Sequence, residues 1–148
     1  MKKRKRFIKA VPLFAAVALM VCGCANNNAV TETLPLTSGD VVSVTCDGGW
    51  SFDAEKKTLS KDDMIIYVGF VNSDNYDDNL ELFKRYKNQG IDTVEGKDVA
   101  GNQYIESVNS VSSFRMAWLD GSNTGYIMRT HPDSVDGYSH VRIKPSNQ

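Results

Sequence analysis

The chain has 148 residues, 17 of them lysine or arginine and 18 aspartate or glutamate, and its length suits one small domain. Six of the cations precede residue 10, so residues 24–148 carry 11 cations against 18 acidic side chains, a formal charge of −7. This balance excludes nucleic acid as a partner, because affinity for it comes mainly from cations that neutralise phosphates.

The N-terminus carries the pattern of an export signal. A cationic segment, residues 2–9, precedes an apolar run of 12 residues, 10–21. That order is typical of a secretory signal peptide. A helix that spans a bilayer needs about 20 apolar residues. The segment therefore predicts export of the chain and not a membrane span.

The signal ends in Val21-Cys22-Gly23-Cys24, which resembles the lipobox of bacterial lipoproteins. The resemblance implies cleavage after Gly23 and a lipidated Cys24 that carries a diacylglycerol and an N-acyl chain. Cys22 is the poorer candidate, because it follows the branched side chain of Val21. One acyl chain anchors a protein only marginally, whereas two suffice. We therefore expect a lipid-anchored protein on the extracytoplasmic face of the cell membrane. In a cell with two membranes, Ala25 directly after the lipidated cysteine resembles the pattern of lipoproteins that are sorted to the outer membrane.

The remainder divides into a tether and a domain. Residues 24–39 are predicted to be the lipidated cysteine and a flexible tether, because the segment is polar and lacks an apolar period. Residues 40–148 are predicted to form a single domain. Cys46 is the one cysteine in this domain, so it has no disulfide partner there, and we expect it to be a small buried thiol.

The first half of the domain predicts strands. Residues 41–46 alternate so that Val42, Val44 and Cys46 share one face. Residues 50–53 and 58–60 flank a polar turn and predict a hairpin. The eight residues 64–71 are apolar or small, and they predict a central strand that is covered on both faces.

A helix is predicted over residues 75–88, where apolar side chains recur at helical spacing. These side chains are Tyr76, Leu80, Phe83 and Tyr86. Residues 72–74 offer N-caps, and Gly90 offers a C-cap. The acidic residues at the start of the helix are explained by capping and by the favourable field of the helix dipole. They do not form an EF-hand calcium loop, because the glycine and the glutamate that such a loop requires are missing.

Turn formers break the rest of the chain into short segments and predict an antiparallel meander. They lie at Gly96, Gly101, Asp120-Gly121 and Gly137. Residues 114–119 and 125–130 predict a hairpin, residues 138–144 predict a last strand, and residues 103–111 fit either a strand or a helix. In the first of these strands, Phe114, Met116 and Trp118 face away from Arg115, Ala117 and Leu119.

The predicted fold class is α+β, a mainly antiparallel sheet with one principal helix packed on it. The order of elements over residues 40–148 resembles the small α/β sandwiches of the PsbP and Mog1 type. The resemblance rests on element order alone, so no residue role is carried over from it.

Candidate functional residues are few. Both histidines and two aspartates fall within residues 131–140, where zinc or acid/base chemistry would use them, although Pro132 and Gly137 also indicate a turn. The candidate ligand surface comprises Trp50, Trp118, Tyr126, Arg129, His131 and His140. Its aromatic members, Trp50, Trp118 and Tyr126, are of a type found more often in a hydrophobic core than on a ligand surface. We expect no cofactor and no metal, since the sequence has no phosphate-binding glycine loop and no H-E-x-x-H motif.

Three functions remain open. We favour a binding or interaction module, anchored to the membrane, whose partner is an envelope, secreted or host protein or a small ligand. An inhibitor or immunity lipoprotein is a second function, which small size and net acidity favour. A hydrolase that uses His131, Asp133 or His140 is the third, and the lack of a catalytic motif favours a protein that is not an enzyme.

Overall fold

The computed structural model describes residues 28–146, which form two antiparallel sheets, one main helix and one 3₁₀ helix. The predicted signal peptide and Cys24 lie outside the described residues. Within residues 28–146, no helix is both long and apolar enough to cross a membrane. A mainly antiparallel structure with one principal helix is confirmed, and the chain is richer in strand than the predicted α+β arrangement indicates.

The smaller sheet has three strands, β1 (Val30–Pro35), β2 (Val41–Cys46) and β10 (Val141–Pro145). β2 is central and pairs antiparallel with both neighbours. The predicted alternation of β2 is confirmed, because Val42, Val44 and Cys46 are all buried.

β1 corrects the predicted extent of the tether, which was expected to run to residue 39. Residues 30–35 pair with β2 instead, and the Thr31 and Thr45 hydroxyls are 2.8 Å apart across the pair. The threonines of β1 alternate with Glu32 and Leu34, and Leu34 packs against the core. A short edge strand with one apolar contact has too weak an apolar period to be recognised from composition alone.

The larger sheet has seven strands, β3 (Ser51–Asp53), β4 (Thr58–Lys61), β5 (Met64–Val71), β6 (Thr93–Lys97), β7 (Gln103–Val108), β8 (Ser113–Trp118) and β9 (Gly125–Thr130). Their order across the sheet is β3-β4-β5-β9-β8-β7-β6, and every pair is antiparallel. Both predicted hairpins are confirmed, and the ambiguous residues 103–111 contain β7. Gly96 lies inside β6, so its prediction as a turn is wrong.

The core lies between the two sheets. We call the face of the larger sheet that contributes to it the inner face, which includes Ile66, Val68, Ala117, Tyr126 and Met128. The smaller sheet opposes this face with the buried side chains of Val42, Val44, Cys46, Val141 and Ile143. Burial raises the pKa of the Cys46 thiol to about 12, so this cysteine is the inert buried thiol that the sequence predicted.

The main helix, α1, spans Ser73–Asn88 and packs on the opposite, outer face of the larger sheet. Asn72 caps its start, where the side chain of Asn72 accepts a hydrogen bond from the backbone N–H of Asn75 at 3.0 Å. At its end, Gly90 has a positive φ, and the N–H of Ile91 donates to the Tyr86 carbonyl at 2.9 Å. This Schellman geometry satisfies the last carbonyls of the helix, as the predicted C-cap required.

α1 covers only part of the outer face. The ring of Phe83 lies 5.1 Å from that of Phe114, and Tyr76 meets Trp118 edge to face at 5.2 Å. On β5, however, Tyr67 is 59% exposed. The prediction that β5 is covered on both faces is therefore wrong, because α1 lies over β6 to β9 and leaves the outer side of β5 open.

The 3₁₀ helix spans Pro132–His140 and connects β9 to β10. It begins at Pro132, whose ring fixes φ for the first helical position. The predicted last strand is thus shorter than expected, because Tyr138 belongs to this helix and β10 starts at Val141. Gly137 lies against the Trp50 ring, where a Cβ would clash with Trp50 Cζ2. The 3₁₀ helix therefore closes one end of the core.

Candidate functional site

The six residues of the predicted ligand surface do not lie on one surface. Trp50 and Tyr126 are buried in the core, at 5% and 0% exposure. Trp118 and Arg129 lie on the outer face of the larger sheet, because β8 and β9 alternate their side chains between the two faces. Trp50 and Tyr126 therefore have the core role that the sequence favoured for them, and they are not part of an exposed ligand surface.

The two histidines of the 131–140 segment have separate partners. His131 precedes the 3₁₀ helix, and its Nδ1 accepts a hydrogen bond from the N–H of Asp133 at 3.3 Å. His140, at the other end of that helix, lies with its Nδ1 2.6 Å from Asp47 Oδ1. Within residues 28–146 no group of three or more His, Cys, Asp or Glu side chains could hold a metal ion.

Asp47 joins the smaller sheet to the end of the 3₁₀ helix. Its second oxygen accepts a hydrogen bond from Arg142 Nη1 at 2.9 Å. The hydrogen bond to His140, and then that to Arg142, hold the pKa of Asp47 below its usual range. His140 is thus committed to an ion-pair cluster, and we interpret this cluster as a structural link between elements.

Three open clefts of the structure differ in what lines them. One of about 520 Å³ lies between the β1–β2 turn and the start of α1, and one of about 420 Å³ lies between α1 and strands β6 and β7. Their charged lining residues are exposed: Lys57 in the first, and Glu95 and Lys97 in the second. The third cleft, of about 240 Å³, contains a nearly buried cation, Arg115.

We call this third space the Arg115 cleft. It lies on the inner face, between the turn that joins β6 to β7 and the 3₁₀ helix. It is lined by Lys97, Asp98, Val99, Tyr104, Arg115, Val135, Asp136, Tyr138 and Ser139. β7 and β8 supply its floor, the 3₁₀ helix supplies one wall, and the β6–β7 turn supplies the other.

Two tyrosine rings hold the guanidinium of Arg115. Its Cζ is 3.8 Å from the centre of the Tyr104 ring and 4.4 Å from that of the Tyr138 ring. Tyr104 comes from the neighbouring strand, and Tyr138 comes from the 3₁₀ helix that covers it. Cation–π attraction is strongest where the cation is desolvated, and only 12% of the Arg115 side chain is exposed. The plane of the guanidinium is therefore fixed before any ligand arrives.

One side of the guanidinium is bound and the other is free. Arg115 Nε donates to Glu106 Oε2 at 2.5 Å, across the β7–β8 pair. Nη1 and Nη2 donate to no acceptor among residues 28–146. In the same part of the chain, no fully buried side-chain nitrogen or oxygen lacks a partner. Neither terminal amino group is therefore fully buried, and Arg115 itself lines the cleft.

The turn wall of the cleft is rigid because Asp98 organises it. Asp98 Oδ1 accepts hydrogen bonds from the N–H groups of Ala100 and Asn102, each at 2.9 Å. Its Oδ2 accepts one from Asn102 Nδ2 at 2.9 Å and one from the Tyr126 hydroxyl at 2.8 Å. Asn102 Nδ2 also donates to the Ile143 carbonyl at 2.9 Å, which ties the turn to β10. Four hydrogen bonds satisfy this carboxylate.

The phenols of Tyr138 and Tyr126 stay neutral. Burial is the main cause that raises the pKa of Tyr138 to about 12, and its hydroxyl lies 3.0 Å from the Ser113 hydroxyl. Burial, and then the Asp98 charge, also raise the pKa of Tyr126. Neither tyrosine can serve as a base near neutral pH, so the cleft is equipped to bind and lacks an acid/base pair among these groups.

The prediction from sequence missed Arg115, although one signal pointed to it. The alternation of 114–119 placed Arg115 on the same face as Ala117 and Leu119. A lone cation in a row of core-facing positions is unusual and needs a partner. Tyr104 and Tyr138, which hold it, are 11 and 23 residues away in the chain and come together only in the fold.

Comparisons with known proteins add no relative of this chain. No family model, no curated protein and no solved structure matches it.

Proposed function

We propose that this protein is a membrane-anchored extracytoplasmic lipoprotein that acts as a binding module, with its ligand in the Arg115 cleft. The observation that carries the binding role is the guanidinium of Arg115, which lies over two tyrosine rings and whose terminal amino groups donate to no acceptor among residues 28–146. A preorganised polar group at the floor of a cleft is typical of a ligand site, since no ordering cost remains to be met on binding.

The anchor is supported by the sequence alone. The basic and apolar runs and the Val21-Cys22-Gly23-Cys24 junction support lipidation of Cys24. β1 starts at Val30, six residues after Cys24. Six extended residues reach at most about 20 Å. The tether is thus shorter than residues 24–39 would have allowed, and the domain stays close to the membrane.

The anchor is tested by two matched variants of the full chain expressed in a bacterium that processes lipoproteins. We expect Cys24→Ala to abolish labelling by radioactive palmitate and to prevent processing, while Cys22→Ala retains both. Membrane fractionation and intact mass are the measurements. A Cys24→Ala protein that still incorporates palmitate would refute the anchor at this residue.

The binding role is tested with the domain from residue 25 onward, which contains both sheets and the core. ¹⁵N–¹H spectra are recorded while the low-molecular-mass fraction of an envelope extract is added. We expect shifts centred on Lys97, Tyr104, Arg115 and Ser139, and no such shifts on the outer face. Saturating extract that leaves these signals unmoved would count decisively against binding in this cleft.

A further inference from the structure

We infer that the group recognised in the Arg115 cleft is a carboxylate, held by a bidentate pair of hydrogen bonds from Nη1 and Nη2 of Arg115. This inference rests on the proposed binding function and adds the chemical class of the ligand. It follows from the orientation of the guanidinium, the balance of charge in the cleft and its volume.

Orientation is the first step. Nε of Arg115 donates its hydrogen bond to Glu106, so the edge of the guanidinium that can bind a ligand is the one formed by Nη1 and Nη2. Two N–H groups on that end are parallel and lie in one plane. A carboxylate offers two oxygens in a matching plane, so a fork-to-fork pair forms without rearrangement. The rings of Tyr104 and Tyr138 keep the guanidinium in this plane.

The balance of charge is the second step, and it separates a carboxylate from a phosphate. Lys97 and Arg115 are the cations of the cleft, Asp98 and Asp136 are its lining carboxylates, and Glu106 adjoins it. These five groups leave one negative charge in excess, and two of them, Lys97 and Asp136, are exposed. A phosphate with nearly two negative charges is therefore repelled about twice as strongly as a carboxylate with one. A single guanidinium fork can pair the one charge of a carboxylate.

Volume is the third step. About 240 Å³ is below the range of roughly 300–1,000 Å³ that encloses a whole drug-sized ligand. The cleft therefore accommodates a small acid or the carboxylate end of a longer molecule. A free small acid and the C-terminus of a peptide share this chemistry, and the test below separates them.

The experiment titrates the domain from residue 25 onward with four probes at constant ionic strength. They are N-acetylglycine, an acetylated Gly-Ala-Ala tripeptide with a free C-terminus, the same tripeptide as its amide, and inorganic phosphate. Chemical-shift changes at Arg115 Nε–H and at the backbone of Lys97 and Ser139 report binding. We expect both acids to shift these signals saturably and the amide to leave them unchanged. Tighter binding of the peptide acid than of N-acetylglycine identifies a chain terminus, and the reverse identifies a small acid.

Variants show whether Nη1 and Nη2 of Arg115, the fork, bind the carboxylate of the probes. Arg115→Lys keeps the charge and the pair with Glu106 but removes the fork, and we expect at least about 10-fold weaker binding of the acids, as for the loss of one charge-assisted hydrogen bond. The double variant Arg115→Met/Glu106→Gln removes both charges together, so no buried carboxylate is left unpaired, and we expect no binding. Arg129→Met removes a solvent-exposed arginine from the outer face and should bind as the wild type does.

Three results would overturn the inference. The first is an Arg115→Met/Glu106→Gln domain that keeps a wild-type spectrum on its outer face and still binds the acids with wild-type affinity. The second is a cleft that responds to the envelope extract, to the amide or to phosphate but to neither acid; the proposed binding function then stands while the carboxylate class falls. A cleft that responds to no probe and to no extract removes both.

Discussion

Two arginines on neighbouring strands of the larger sheet have opposite surroundings. Arg115 of β8 points to the inner face, where two tyrosine rings and Glu106 hold it and 12% of its side chain is exposed. Arg129 of β9 points to the outer face, where it is exposed and its Cζ lies 5.6 Å from the Phe114 ring. Phe114 pairs with Arg129 in the register, and Arg115 is the next residue of β8 after Phe114. The two arginines are therefore neighbours along the sheet, and they differ in the face to which their side chains point.

This difference shows what the elements that cover the sheet contribute to the site. On the inner face, the 3₁₀ helix and the β6–β7 turn close over β7 and β8 and fix a charged group that would otherwise move freely. On the outer face, α1 covers only one half of the sheet and leaves the neighbourhood of β5 open. A chemically specific site thus needs the covering layer as well as the residue, because burial strengthens the interactions of the charge and removes its freedom.

The largest expected effect separates the covered half of the outer face from its open half. Phe83 is 1% exposed under α1, and Phe83→Ala should lower the free energy of unfolding by about 3–5 kcal/mol. Tyr67 is 59% exposed on β5, and Tyr67→Ala should change it by no more than about 0.5 kcal/mol. Urea denaturation measures both. Similar losses would mean that α1 does not divide the outer face as described.

Removing each arginine sharpens the contrast between the faces. Arg115→Met leaves Glu106 without its partner, and we expect a loss of about 3 kcal/mol, the lower end of the range for a broken buried pair, because both side chains keep 12–13% exposure. Arg129→Met should cost less than about 0.5 kcal/mol. Denaturant titrations of the two variants decide the point, and equal stabilities would show that Arg115 is not held by its surroundings.

A pair of glycines tests the same contrast through packing. A Cβ at Gly137 would clash with Trp50 Cζ2 and lie 2.7 Å from Ile66 Cδ1, so Gly137→Ala should cost about 1–3 kcal/mol through overpacking. At Gly69, on the outer side of β5, a Cβ would meet nothing within 4 Å. Gly69→Ala should therefore be neutral or stabilising by up to about 1 kcal/mol. Thermal unfolding in which Gly137→Ala is the more stable variant would contradict the packing of the 3₁₀ helix.

The smallest expected effect concerns the more exposed ion-pair cluster of Asp47, His140 and Arg142. Because its partners lower the pKa of Asp47 in the folded state, the ionised carboxylate stabilises the fold at all pH values above its unfolded pKa of about 3.9. This contribution is lost as the pH falls through the lowered folded pKa. We expect the stability difference between the wild type and Asp47→Asn to be fully present above about pH 4 and to shrink as the pH falls below it. A difference that does not shrink between about pH 4 and pH 2 would contradict this account of Asp47.

The sequence predicts local elements well where one periodicity dominates. The caps of α1, the β8–β9 hairpin and the burial of Cys46 all follow from side chains close together in the chain. Prediction fails where a distant element decides the outcome. β1 is a strand because β2 offers it an edge with which to pair. The start of the predicted last strand forms part of a 3₁₀ helix instead, because Gly137 and Tyr138 of that helix pack against the core.

The candidate site belongs to this second kind. Alternation along β8 places Arg115 on the same face as Ala117 and Leu119, but nothing local predicts that Tyr104 and Tyr138 contact it. The aromatic residues chosen from the sequence, Trp50 and Tyr126, fill the core instead. Aromatic character alone does not distinguish the two roles, because large rings contribute to cores and to ligand sites alike.

The most direct test of the account is the mobility of the two guanidinium groups in the ligand-free domain. ¹⁵N relaxation at the Nε–H groups of Arg115 and Arg129, with the exchange of their Nη protons, measures it. The stacking of Arg115 between two rings predicts a rigid Nε–H, with an order parameter near the backbone value of about 0.85, and an Arg129 below about 0.6. An Arg115 as mobile as Arg129 would contradict a preorganised site on the inner face.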